Sequence, residues 1–65
     1  MKDVDFSKEE IREIRESLGM TQSAFAEELG VTKESVYLYE SGGMHPRGAH
    51  LENLLELQER AEDEN

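Results

Sequence analysis

Lys33, Glu34, Tyr37, Leu38 and Ser41 are spaced so that one helix would carry them all on one side. Together they offer an ammonium, a carboxylate, a phenol, a hydroxyl and aliphatic carbons. These groups recognise a surface by hydrogen bonding and contact; they do not break bonds. A carboxylate accepts from the cytosine amino group, and aliphatic carbons pack on thymine methyls, so such a face suits nucleobase edges. Val36, Tyr39 and Glu40 take the opposite side, whose apolar members mark it as facing a core. Arg47 follows in a loop, where contact with a phosphate is expected.

Other chemistries lack their parts. His45 and His50 are five residues apart with no third ligand, so no metal site is expected. The sequence contains no Ser/His/Asp set, no phosphate loop and no carboxylate pair set in apolar sequence, so neither an enzyme nor a cofactor is expected.

Three short helices must position that face. The first is predicted over 7–18. Ser7-Lys-Glu-Glu10 is a capping box, Phe6 and Ile11 stand at the positions of a hydrophobic staple, and Ile11, Ile14 and Leu18 form one stripe before Gly19. The second, over 21–29, begins at Thr21 with Met20 and Phe25 at staple positions, carries Ala24, Phe25 and Leu29 as a short apolar face, and stops at Gly30. The third, over 32–41, begins at Thr32 with Val31 and Val36 flanking the cap, and stops at Gly42-Gly43. All three share one start pattern, and that local consistency is what a foldable sequence needs. The tight Gly30-Val31-Thr32 connection gives a helix-turn-helix layout, which sets a second helix steeply across the first and into a major groove. Gly43-Met-His-Pro-Arg-Gly48 is a loop, and a fourth helix is predicted over 49–61 with Leu51, Leu54, Leu55 and Gln58 on one face. Leu57 and Ala61 widen that face and are assigned to the core in preference to an interface. Asp63-Glu-Asn65 is expected to fray.

Sixty-five residues allow one domain over 1–65 with one small core, and so short a chain favours self-association. Cysteine is absent, which leaves the redox compartment unconstrained. No apolar run approaches the roughly 20 residues that span a bilayer. Met1-Lys-Asp-Val-Asp5 lacks the apolar region of a signal peptide, so a cytoplasmic protein is expected, associated with the nucleoid when bound to DNA. The net charge is -9, and residues 50–65 carry -5 of it, with Arg60 facing Glu52, Glu56, Glu59, Glu62, Asp63 and Glu64. The plain account is a solvated acidic helix face; adaptation to high salt is the sharper one.

Residues 11–55 resemble the helix-turn-helix domain of the lambda-repressor/Cro (XRE) family of transcription regulators. The likeness rests on Ile11-Arg-Glu-Ile-Arg15, Gly19-Met-Thr-Gln22, Phe25-Ala26, Leu29-Gly30-Val31-Thr32, Val36, Tyr39-Glu40-Ser41-Gly42 and Pro46. It implies a compact all-α fold of four helices, or of five with a short tail turn. It also implies that Gln22 holds a DNA phosphate, that Thr32, Lys33, Glu34, Tyr37 and Leu38 face the major groove, and that Arg15 and Glu40 form an internal ion pair. Family members commonly carry Arg or Lys near the positions of Leu38 and Gly43; here both are uncharged, and Glu34 adds acid.

The expected function is therefore a sequence-specific regulator of transcription, such as a repressor, that binds double-stranded DNA as a homodimer on a near-palindromic site. The -9 charge supports a rival: an acidic protein-interaction module, antitoxin-like or mimicking DNA, that kept the fold, lost DNA binding and meets a protein partner. Steep loss of affinity with salt separates a DNA binder from such a module.

Overall fold

The computed structural model describes residues 6–63. Met1–Asp5, read above for a leader, and the Glu64–Asn65 end of the tail lie outside them. The described residues form four helices and no strand: α1 (Lys8–Ser17), α2 (Gln22–Leu29), α3 (Lys33–Ser41) and α4 (Gly48–Asp63).

Each of the first three helices starts on a side-chain oxygen that satisfies one of the backbone N–H groups a helix start leaves open. The Glu10 N–H donates to the Ser7 hydroxyl at 3.1 Å, and the Ser7 N–H donates to Glu10 Oε1 at 2.9 Å, which closes the capping box. Thr21 and Thr32 accept from the N–H groups of Ala24 and Ser35, both at 3.1 Å. α2 and α3 end on Gly30 and Gly42, at φ 81° and 93°. Only glycine adopts this left-handed shape cheaply, so these two positions fix where the chain turns.

The core gathers Phe6 and Ile11 of the first cap, Ile14, Phe25, Ala26, Leu29, Val36, Tyr39, Leu54, Leu57 and Ala61. Leu18, Met20, Val31, Leu51 and Leu55 pack around its edge. Burying one Leu or Phe side chain contributes about 1.5–3 kcal/mol. α2 packs most extensively on α3, while α1 touches both α3 and α4, and α2 also touches α4.

α4 differs from the helix read in the sequence. It starts one residue earlier and runs to Asp63, so Asp63 is helical. Its fully buried stripe is Leu54, Leu57 and Ala61, while Leu51 and Leu55 lie at the edge and Gln58 is half-buried. Spacing points to the Leu51, Leu54, Leu55 and Gln58 face; packing against α1 and α2 buries instead the one centred on Leu54 and Leu57.

Candidate nucleic-acid interface

α3 is anchored by its inner side. Val36 and Tyr39 are buried, and Glu40 turns inward to Arg15. Arg15 donates through Nε to Glu40 Oε2 at 2.6 Å and through NH2 to Oε1 at 3.0 Å, while NH1 donates to the Met20 carbonyl at 3.0 Å. One guanidinium thus joins α1, the α1–α2 turn and α3. Its planar fork matches a carboxylate at two points, which fixes orientation as well as distance. The hydrogen bond to Glu40 raises the Arg15 pKa further above its ordinary value; burial opposes the rise, and the nearby Glu40 and Glu16 charges reinforce it.

Gln22 joins the same group. Its Nε2 donates to Glu40 Oε1 at 3.2 Å, and the side chain is half-buried. The first residue of α2 is thereby tied to the last turn of α3.

The outer side of α3 is polar and open. Thr32, Lys33, Glu34, Tyr37 and Ser41 are exposed, and Tyr37 retains 58% of its surface. The hydroxyls of Thr32 and Ser41 are already engaged. Thr32 Oγ1 accepts the Ser35 N–H and lies 3.1 Å from Ser35 Oγ, and Ser41 donates to the Leu38 carbonyl at 3.2 Å. Lys33, Glu34 and Tyr37 make no hydrogen bond or ion pair with the described residues through their side chains.

Leu38 departs from the expected exposed position, being half-buried. Its carbonyl accepts the N–H groups of Gly42 at 3.0 Å, Gly43 at 2.9 Å and Met44 at 3.3 Å, which folds the Gly42–Gly43 corner back over α3. A Cβ on Gly43 would lie 3.2 Å from Leu38 Cδ2.

Arg47 is exposed just past the buried Pro46, and its carbonyl accepts the His50 N–H at 3.1 Å. With Tyr39, Gly43, Met44, His45 and His50 it lines a shallow depression at the α3–α4 junction. His45 and His50 share this depression. Among the described residues no three His, Asp or Glu side chains stand close enough together to hold a metal ion. Burial pushes the Tyr39 phenol above its ordinary pKa.

Two supports were not evident in the sequence. The Leu29 carbonyl, left open by the end of α2, accepts Asn53 Nδ2 at 3.1 Å and meets His50 Nδ1 at 3.3 Å. α4 therefore caps α2. Arg60 pairs with Glu28 at 3.2 Å, a second and exposed link between these helices. The only cue was an amide, Asn53, among the apolar positions of an otherwise acidic helix.

A family model described as helix-turn-helix matches residues 11–57. No curated protein and no solved structure matches the chain. Among the described residues no helix is long and apolar enough to cross a membrane.

Proposed function

The chain belongs to the lambda-repressor-type (XRE) helix-turn-helix family, a family of DNA-binding regulators that are generally not enzymes, and from that membership we propose that it is a sequence-specific regulator of transcription. It reads double-stranded DNA through α3. One observation carries this reading: α3 is held from behind by Val36, Tyr39 and the Arg15–Glu40 fork, while Lys33, Glu34 and Tyr37 are exposed and unengaged on its outer side. A rigid helix with an open mixed face suits major-groove readout.

In this reading Lys33 and Arg47 contact phosphates, and Glu34 and Tyr37 meet base edges. Gln22 holds a phosphate from the start of α2, where the positive end of the helix favours an anion. The hydroxyl of Thr32 serves the cap and its carbons the groove. Leu38 contributes only its exposed edge. Two copies would place their α3 helices about 34 Å apart on a near-palindromic site. The protein would work in the cytoplasm and on the nucleoid.

Selection from random duplexes at about 50 mM salt tests this reading. An enriched motif with two related halves is expected; recovery of no motif sinks the proposal.

The charge of α4 favours a second reading. Glu52, Glu56, Glu59, Glu62 and Asp63 line that helix against Arg60 alone. Such a surface suits a basic protein partner. Failure to bind any duplex even at low salt would favour this reading, because DNA affinity is greatest there.

A further inference from the structure

We infer that Lys8, at the start of α1, is a further phosphate-contacting residue of the DNA interface. The inference rests on the DNA-binding reading above. Six Lys and Arg side chains lie among the described residues: Lys8, Arg12, Arg15, Lys33, Arg47 and Arg60. Three of them are paired, Arg12 with Glu16, Arg15 with Glu40 and Arg60 with Glu28. Lys8, Lys33 and Arg47 have no ion-pair partner among the described residues. These three cations are unpaired although the chain has 16 acidic and 7 basic side chains.

The sequence supplies the reason. Within a helix a cation can pair with an acid three or four residues away, and for Lys8, Lys33 and Arg47, each at or just before a helix start, only the following positions lie on the helix. Arg12 has Glu16 there. Lys8 has Ile11 and Arg12, Lys33 has Val36 and Tyr37, and Arg47 has His50 and Leu51.

All three unpaired cations border α3. Lys33 is its first residue. Arg47 lines a depression together with Gly43, just past its end. Lys8 is 34 residues from Gly42 in sequence, yet its Cδ lies 3.4 Å from where a Cβ on Gly42 would stand. The Lys8 stem therefore lies against the residue that caps α3, and its exposed ammonium follows one methylene beyond. Cations without an ion-pair partner among the described residues thus stand at both ends of α3, and at its C-terminal end they come from two separate segments of the chain. A duplex lying along α3 brings phosphates past both ends, since the backbone strands flank the groove the helix occupies.

Counterion release supplies the readout. Each phosphate neutralised adds about 0.9 to the magnitude of the slope of log K against log salt on B-form DNA. Lys8→Met keeps an apolar stem against Gly42 and removes the charge; Lys8→Arg keeps the charge. Binding to the duplex enriched by selection is measured at several salt concentrations for wild type and both variants, with melting temperature recorded alongside. Lys8→Met should reduce the slope by about 0.9 and weaken matched and mismatched duplexes equally, with its melting temperature unchanged. Lys8→Arg should retain the wild-type slope. A wild-type slope in Lys8→Met overturns the assignment of Lys8 and leaves the DNA reading standing. A wild type that binds no duplex at about 50 mM salt overturns both.

Discussion

Arg15 and Glu40 are 25 residues apart in sequence and meet in a two-point fork at 2.6 and 3.0 Å, and Gln22 reaches the same carboxylate at 3.2 Å. The Glu40 side chain is 7% exposed, so its charge relies on these donors in place of water. Arg15→Ala would strand it. The expected loss is about 2–4 kcal/mol by urea denaturation, below the upper range for fully buried pairs because Arg15 keeps some solvent. Arg15→Lys should recover only part of this, since an ammonium cannot reproduce the fork. The double variant Arg15→Met/Glu40→Leu should lose less than the sum of its singles. Strict additivity would show that the pair is not coupled.

The junction of α2 and α4 depends on one oxygen. Asn53→Leu removes the better of two donors to the Leu29 carbonyl, and His50 remains. The expected cost is about 1–2 kcal/mol. Asn53→Leu/His50→Leu should cost more, because the carbonyl then has neither side-chain donor. Equal stability of the two variants would remove His50 from this role.

Stability should fall in alkali through Tyr39. Burial raises its folded-state pKa, so the folded chain holds the phenolic proton to higher pH than the unfolded chain does. This contribution is full below the unfolded value of about 10 and is lost as pH rises through the higher folded value. Tyr39→Phe cannot ionise at that site. The stability difference between wild type and Tyr39→Phe should be flat at neutral pH and should move against wild type above about pH 10. A constant difference would contradict it.

The two kinds of DNA contact should separate by mutation. Lys33→Ala should weaken every duplex about equally and lower the salt slope by about 0.9, as a phosphate contact does. Tyr37→Ala should change the preferred base at one position and leave the slope alone. Quantitative binding to matched and mismatched duplexes distinguishes these outcomes; a position-specific effect from Lys33→Ala would reassign it to base reading.

Added salt should stabilise the fold itself. Among the described residues, Glu52, Glu56, Glu59, Glu62 and Asp63 crowd α4, and screening relieves their mutual repulsion. The melting temperature should rise from low salt toward molar potassium chloride. A flat or falling trend would show that this repulsion is a minor cost.

Features set by near neighbours were legible in the sequence. Ser7, Thr21 and Thr32 cap through bonds to the residue three further on, and Gly30 and Gly42 supply a backbone shape no other residue adopts cheaply. The family resemblance drew on the same local residues. Contacts between distant segments were legible only where the family resemblance carried them, as for Arg15 and Glu40. Periodicity points to Leu51, Leu54, Leu55 and Gln58 as the face of α4, whereas the buried stripe is Leu54, Leu57 and Ala61, because the choice is made by α1 and α2. Leu38 was read as exposed because nothing in its neighbours announces that the Gly42–Gly43 corner folds back over it. Asn53 reaches a carbonyl 24 residues away, and the Lys8 stem meets Gly42 across 34; neither contact leaves a pattern in the chain.

Tyr37 and Tyr39 are two residues apart, yet one is 58% exposed and the other 3%, and the chain has no tryptophan. The protein therefore carries a pair of intrinsic optical labels with separate duties. Stacking on a base would dim the emission of Tyr37, whereas a soluble quencher reaches Tyr39 only when the core opens. Occupancy and unfolding can be followed in one cuvette on the unlabelled protein.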